Sequence, residues 1–290
     1  MANQIKAKLQ KYTLAEFKHE FPNDDACLEW LKNYRFPDGI YCPICDKVRK
    51  HHRIKNRPCY KCDYCGHEVY PTAGTIFHKS ATPLRTWFDA MLWIATTRSG
   101  HSAMELQRIT GVTYKTAWRM FKQIRTLFGE DTIPLNGEVE VDESYFGGIR
   151  RGKRGRGAEG KTAVIGIVQR HGKVTASVVS NVKSSTVVPL ISKNVARTAI
   201  VYTDEFPSYD RVANAGYKHR RVEHGAKVYV DGSAHTNSIE GFWSLAKRGI
   251  SGVYHAVSPK YLQSYLDEYS FRYNHCNDNV PMFKLILKRI

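Results

Sequence analysis

The chain has 290 residues, 42% of them hydrophobic and 12% aromatic, enough to bury at least one substantial core and to exclude wholesale disorder. Lysine and arginine outnumber acids by 44 to 27, a formal net charge of +17 that favours a polyanionic partner, nucleic acid first, over a small neutral substrate. No apolar run approaches the roughly 18 residues of a membrane span, and the polar start MANQIKAKLQKY lacks the apolar stretch of a signal peptide. A soluble cytoplasmic protein is expected.

Leu14, Phe17, Phe21, Cys27, Leu28 and Leu31 fall at mostly helical spacing, and Pro22-Asn23 breaks the run into two short helices. Between positions 40 and 71 the texture changes to Cys, Tyr, Gly and basic residues, as expected of short hairpins tied by a metal. Five of the seven cysteines lie between positions 42 and 65, which does not resemble a secreted disulfide framework. Cys42-x2-Cys45 and Cys62-x2-Cys65, sixteen residues apart, match the spacing of a four-thiolate zinc ribbon. Cys59 and Cys62 form a second possible pair. Gly66, suited to the left-handed residue of a metal knuckle, favours Cys62 with Cys65 and leaves Cys59 outside. Four thiolates leave no position for water, so the zinc is expected to be structural. Lys47, Arg49, Lys50, His51, His52, Arg53, Lys55 and Arg57 make this region strongly basic.

Pro83 after Thr82 opens an apolar helix from Leu84 to Thr97. The stretch SAMELQRITGVTYKTAWRMFKQIRTLF then reads as helix, turn at Gly111-Val112, and helix, with Leu106, Ile109, Val112, Ala117 and Met120 or Phe121 as the inter-helix core. An ordinary α-hairpin has the same pattern. The positive charge tips the reading toward a helix-turn-helix DNA-binding unit, with Lys115 and Arg119 on its second helix as DNA contacts.

From Gly137 onward EVEVDESYF, TAVIGIVQ, KVTASVVS and AIVYTD read as four strands, with helices expected at 184–196, 237–249 and 259–275. This order suggests a mixed sheet covered by helices. The expected organisation is an N-terminal helical segment (1–38), a zinc ribbon (39–72), a helix-turn-helix region (78–130) and an α+β domain (136–280).

Three acids stand where a metal site would want them. Asp142 lies on the first strand, Asp204 ends the fourth, and Glu240 lies near the start of the helix NSIEGFWSLAKRG. Mg²⁺ takes oxygen ligands, so two such ions need about three carboxylates converging from separate elements. Lys247, seven residues after Glu240, points the same way two turns on. Ile239, Phe242, Trp243, Ala246 and Ile250 form that helix's buried stripe. Glu143 and Glu205 adjoin two of the acids, but strand alternation would turn them to the opposite face. Any one of these acids alone reads as a solvated or capping residue; their combination argues for a site. The stretch from Gly147 to Lys161 is too rich in glycine and charge to pack. Its Arg150, Arg151, Lys153, Arg154 and Arg156, placed just after Asp142, suit a clamp on a DNA backbone.

Asp142, Asp204 and Glu240 with Lys247, in the motifs VDESYFGG, YTDEFPSYD and HTNSIEGFWSLAKRGI and in the order ribbon, helix-turn-helix, acids, resemble the DDE signature of insertion-sequence transposases. More narrowly they resemble the ISXO-like group numbered fifteen-ninety-five, from about Leu14 to Asn279. The resemblance implies a ribonuclease-H-like catalytic fold, and DNA cleavage and strand transfer with two Mg²⁺ or Mn²⁺ ions held by Asp142, Asp204 and Glu240. Water, and then a DNA 3′ hydroxyl, would attack the phosphodiester in line, with Lys247 on the DNA near the cleaved end. It further implies double-stranded element ends and target DNA as partners, and a homodimer or larger assembly on DNA. Some members of the group carry Asn or His as the third ligand, and Asn237 and His235 lie within two turns of Glu240. The alternatives are a DNA-binding regulator derived from such an enzyme and a structure-specific nuclease of the same fold.

Overall fold

The first helix, α1 (Leu14–Glu20), starts where Thr13 accepts the Glu16 N–H and the Glu16 carboxylate reaches back to the Thr13 backbone, a reciprocal cap. Asn23 caps α2 (Asp24–Arg35) through the Ala26 N–H, so Pro22-Asn23 does separate two helices. The computed structural model of the protein describes residues 12–129, 133–147, 160–222 and 236–290. Arg150, Arg151, Lys153, Arg154, Arg156 and His235 lie outside the described residues.

The chain divides into two compact units. The first gathers the residues up to Thr96 with Ala103–Ile124 and Asn279–Ile290; the second holds Thr97–Ser102 and Arg125–Asp278. The N-terminal helices, the ribbon and the helix-turn-helix, expected as three domains, thus share one unit. Short helices cannot bury their apolar faces alone. In the first unit Phe21 packs against Phe88 at 4.9 Å between ring centres, and Phe17 against Phe283 of the C-terminal helix (Met282–Leu287) at 5.2 Å. Sequence reading had missed that returning helix.

Five short strands form the ribbon of the first unit. β1 (Tyr41–Cys42) pairs with β2 (Lys47–Val48), and β3 (His51–Arg53), β4 (Tyr60–Cys62) and β5 (Glu68–Val69) form a three-stranded sheet, all antiparallel. α3 (Leu84–Thr96) follows. α4 (Ala103–Thr110) and α5 (Tyr114–Arg125) are joined through Gly111 at φ +73°, the left-handed residue that ends a helix. Leu106, Ala117, Met120 and Phe121 are buried as expected, but Ile109 is 46% exposed. In so short a helix Leu106 takes the inward position and Ile109 falls at the rim.

In the second unit β6 (Glu138–Phe146) is the central strand. β7 (Thr162–Gln169) lies antiparallel beside it and β8 (Val174–Val179) antiparallel to β7; then comes α6 (Ser184–Asn194). β9 (Ile200–Thr203) runs parallel to β6 on its other side, and β10 (Lys218–Arg221) parallel to β9. The order β10-β9-β6-β7-β8, three antiparallel strands continued by two parallel ones, is the sheet of a ribonuclease-H-like fold. β10 was not foreseen: KHRR is an edge strand with no apolar alternation to read.

The sheet buries both faces. Val139, Val141, Ile165, Ile167 and Val201 pack against α6. Val164, Val168 and Ala176 pack against α7 (Asn237–Gly249) and α8 (Pro259–Asn274). Alternation along β6 therefore sends odd positions to α6 and even positions to α7. On α8, the fully buried Glu268 accepts from Arg125 Nε at 2.7 Å and from Arg272 at 2.6 Å. Burial alone would push its carboxyl up; the two guanidinium groups hold it below its ordinary range. Its contribution is therefore complete above the ordinary carboxylate range and lost as the pH falls below it. Among the described residues no helix is long and apolar enough to cross a membrane.

Candidate functional site

Two knuckles bring four sulfurs together in the first unit. Cys42 and Cys45 flank the turn between β1 and β2, and Cys62 and Cys65 the turn between β4 and β5; all four Sγ atoms lie within 4.8 Å of one another. Sulfurs around a tetrahedral zinc at ~2.3 Å are about 3.8 Å apart, and Cys42–Cys65 and Cys45–Cys62 stand at 3.4 and 3.9 Å. Gly66 follows the second knuckle at φ +77°, and Asp46 follows the first at φ +52°, so both use the left-handed turn. The Cys65 N–H, together with that of Tyr64, pulls the Cys62 thiol down to about 6, favouring the thiolate a metal needs. Cys59 is buried and stands apart from the four.

In the second unit Asp142, Glu143 and Asp204 offer carboxylate oxygens within 4.8 Å of one another. Alternation does place Asp142 and Glu143 on opposite faces of β6: Trp243 Nε1 on α7 donates to Asp142 at 3.0 Å, and the buried Tyr209 hydroxyl donates to Glu143 at 2.9 Å. The expectation that this keeps Glu143 away is nonetheless corrected. Pairing of β6 with β9 stops at Glu140 with Tyr202, so at positions 142 and 143 that edge has no neighbouring strand. An oxygen of each carboxylate comes within 4.8 Å of Asp204, just past the end of β9. Glu205 is exposed and outside the group.

Burial pushes the Asp142 carboxyl up to about 7, and the charges of Glu143 and Asp204 add to the shift while Trp243 opposes it. Three acids held this close repel one another until a cation joins them, and an all-oxygen donor set fits Mg²⁺ or Mn²⁺. Glu240 is outside this group: its carboxylate is exposed and accepts from the Thr236 hydroxyl at 3.2 Å. It does share a face of α7 with Trp243 and Lys247, three and seven residues on. Desolvation lowers the Lys247 ammonium below its ordinary range; Asp142 acts against that shift and Lys161 adds to it. Lys247 also stands 6.0 Å from the centre of the Phe146 ring. Asn237 is exposed at the first turn of α7.

The place of α7 is set from β6 and β7. Gly166 is the register partner of Asp142, and a Cβ there would lie 2.5 Å from Trp243 and 2.7 Å from Ile239. Only glycine lets the indole come this close to the strand beside the acid. Gly166→Ala is expected to cost roughly 1–3 kcal/mol of stability through this overlap. A thermal melt checks it; a melting point at or above that of the parent would contradict the packing. A second anchor, which sequence reading missed, is Glu140, wholly buried and bonded to the first turn of α7. In the first unit, Lys115 and Arg119 on α5 are exposed, and Arg119 reaches Ser80 and Thr82 at 3.4 Å.

A family model described as the ISXO2-like transposase domain, of the fifteen-ninety-five group, matches residues 134–274, and one described as the transposase zinc-ribbon domain matches residues 22–68. The chain is 28% identical over 271 residues to an "uncharacterized protein in transposable element ISH50" of Halobacterium salinarum, covering 87% of this chain and 91% of that one. It is 33% identical over 118 residues to an "uncharacterized transposase-like protein" of Haemophilus influenzae, covering 41% of this chain and 93% of that one. Among solved structures it is similar to the catalytic core domain of BIV integrase, with TM-score 0.36, 12% identity and coverage of 53% of this chain and 95% of that one. It is also similar to a chain of a pre-cleavage Mos1 transpososome, with TM-score 0.31, 11% identity and coverage of 66% and 72%. With a ribbon of four converging cysteines, a ribonuclease-H-like sheet carrying the acids, and both domain models matched in order, the chain belongs to the insertion-sequence transposases of the fifteen-ninety-five group.

Proposed function

We propose that the protein binds the ends of an insertion sequence and catalyses metal-dependent DNA cleavage and strand transfer. The observation that carries this reading is the convergence of Asp142 and Asp204 at the open edge of β6, with Asp142 bonded to Trp243 on α7. Asp142 and Asp204 would hold divalent cations, with Glu240 completing the set from α7. Such ions, when bound, supply charge stabilisation at the phosphate and an activated attacking oxygen. Trp243 fixes the orientation of the Asp142 carboxylate, and Lys247 offers an ammonium to a phosphate of the DNA end. Zinc held by Cys42, Cys45, Cys62 and Cys65 keeps the ribbon folded. Lys115 and Arg119, with Arg150, Arg151, Lys153, Arg154 and Arg156, neutralise DNA phosphates.

Glu143, inside the acid group, and Glu240, outside it on α7, have separable expectations. Glu240→Gln is expected to lower end cleavage about 100-fold, whereas Glu143→Gln, whose partner is Tyr209, should lower it less than about tenfold. Single-turnover cleavage of both variants checks this, and the reverse order would make Glu143 the third ligand. The reading as a whole is tested by incubating the protein with Mg²⁺ and a DNA fragment carrying the ends that flank its own gene. Cleavage at the ends leaving a 3′ hydroxyl is expected. End-specific binding with no metal-dependent cutting would overturn it in favour of a regulator.

A further inference from the structure

Thr236 stands at the N-terminal cap of α7 but makes no capping bond to the first turn. The orphan N–H groups of that turn go instead to a strand. Ser238 and Ile239 donate their backbone N–H groups to Glu140 Oε2 at 2.9 and 3.0 Å, and the Ser238 hydroxyl donates to Oε1 at 3.1 Å. Glu140 is fully buried on β6, two residues before Asp142. Arg170 donates to the same carboxylate at 2.8 Å and to Glu138 at 3.2 Å, with its guanidinium 4.1 Å from the centre of the Tyr202 ring. The Tyr202 hydroxyl in turn donates to Glu138 at 2.7 Å.

A buried ion pair is weak evidence of stabilisation, because apolar residues of equal volume often serve as well. What a carboxylate adds is direction: it holds a helix N-terminus by the unpaired N–H groups and the dipole together. Here the direction matters because α7 meets β6 a second time, where Trp243 donates to Asp142. The helix is thus held to the strand at two points, its first turn on Glu140 and Trp243 on Asp142. We infer that Glu140 is a positioning residue for the proposed site, setting the register of the helix that carries Glu240, Trp243 and Lys247. This rests on the reading of those residues as the DNA-cleaving site.

The test is Glu140→Gln in the full chain. Glutamine keeps an acceptor and Arg170 keeps Glu138, so the variant is expected to fold. The indole N–H resonance of Trp243, identified by its loss in Trp243→Phe, should shift in Glu140→Gln even with no DNA present. End cleavage in a single turnover should fall by about tenfold or more, since a displacement of an ångström suffices for that, while affinity for the ends is unchanged. Arg170→Lys, which preserves the charge, should retain most of the cleavage. A lowered melting point with parental indole resonance and parental cleavage would show a purely structural role and overturn the inference. In that case loss of cleavage in Asp142→Ala would leave the functional reading standing. If the parent itself does not cleave, that reading fails and the indole resonance alone decides the positioning role.

Discussion

Asp142→Ala is expected to lower end cleavage by about 10³-fold or more, several kcal/mol of lost charge stabilisation, with DNA binding intact. Asp142 sits mid-strand on β6, its backbone paired to Gly166, so alanine keeps the sheet. Among the described residues its carboxylate makes one side-chain bond, from Trp243, and otherwise faces Glu143 and Asp204. The acids repel one another, so the variant without cation should melt no lower than the parent, the pattern of a site where function is bought at the expense of stability. A gel shift on the element ends, a thermal melt and single-turnover cleavage together check this. Loss of binding in a folded variant would contradict the assignment of Asp142 to chemistry.

Cys62→Ser is expected to remove the metal and the end-specific binding together, leaving the second unit folded. A ribbon of two- and three-residue strands buries too little apolar surface to fold on its own, and metal affinity in such modules is folding free energy, of order 10 kcal/mol. The Cys65 and Tyr64 N–H groups also draw the Cys62 thiol below its ordinary range, toward the thiolate. Metal content should fall from one zinc per chain to near none, and affinity for the ends should drop by about 10³-fold, to the level of non-specific DNA. Cys59→Ser, outside the cluster, should retain its zinc. If it loses the metal while Cys65→Ser keeps it, the alternative pairing of Cys59 with Cys62 is the right one.

The ribbon was legible because tetrahedral thiolate chemistry dictates local spacing: two C-x2-C turns and a glycine at the left-handed position are enough. Asp142 and Asp204 were legible because the first lies within a readable strand pattern and the second ends one. Glu143 was not, since alternation along β6 is real and only the early end of β9 leaves its carboxylate near Asp204. Contacts between residues remote in sequence left no local trace. Glu140 reads as one more strand residue until Ser238 and Ile239, nearly a hundred positions later, are found on it. The Arg125–Glu268 pair joins positions 143 apart. β10 failed for the opposite reason: KHRR has no apolar face, and what joins it to β9 is the backbone ladder and a His219–Thr203 side-chain bond.

The central claim is that this chain joins DNA as well as cutting it. The direct measurement incubates the protein with Mn²⁺, a fragment ending at the boundary of its own element with a free 3′ hydroxyl, and a supercoiled plasmid, beside Asp142→Ala. The account predicts covalent joining of the fragment to the plasmid by the parent and none by the variant. Metal-dependent nicking of the plasmid without joining would identify a nuclease and contradict the claim, as would equal joining by Asp142→Ala.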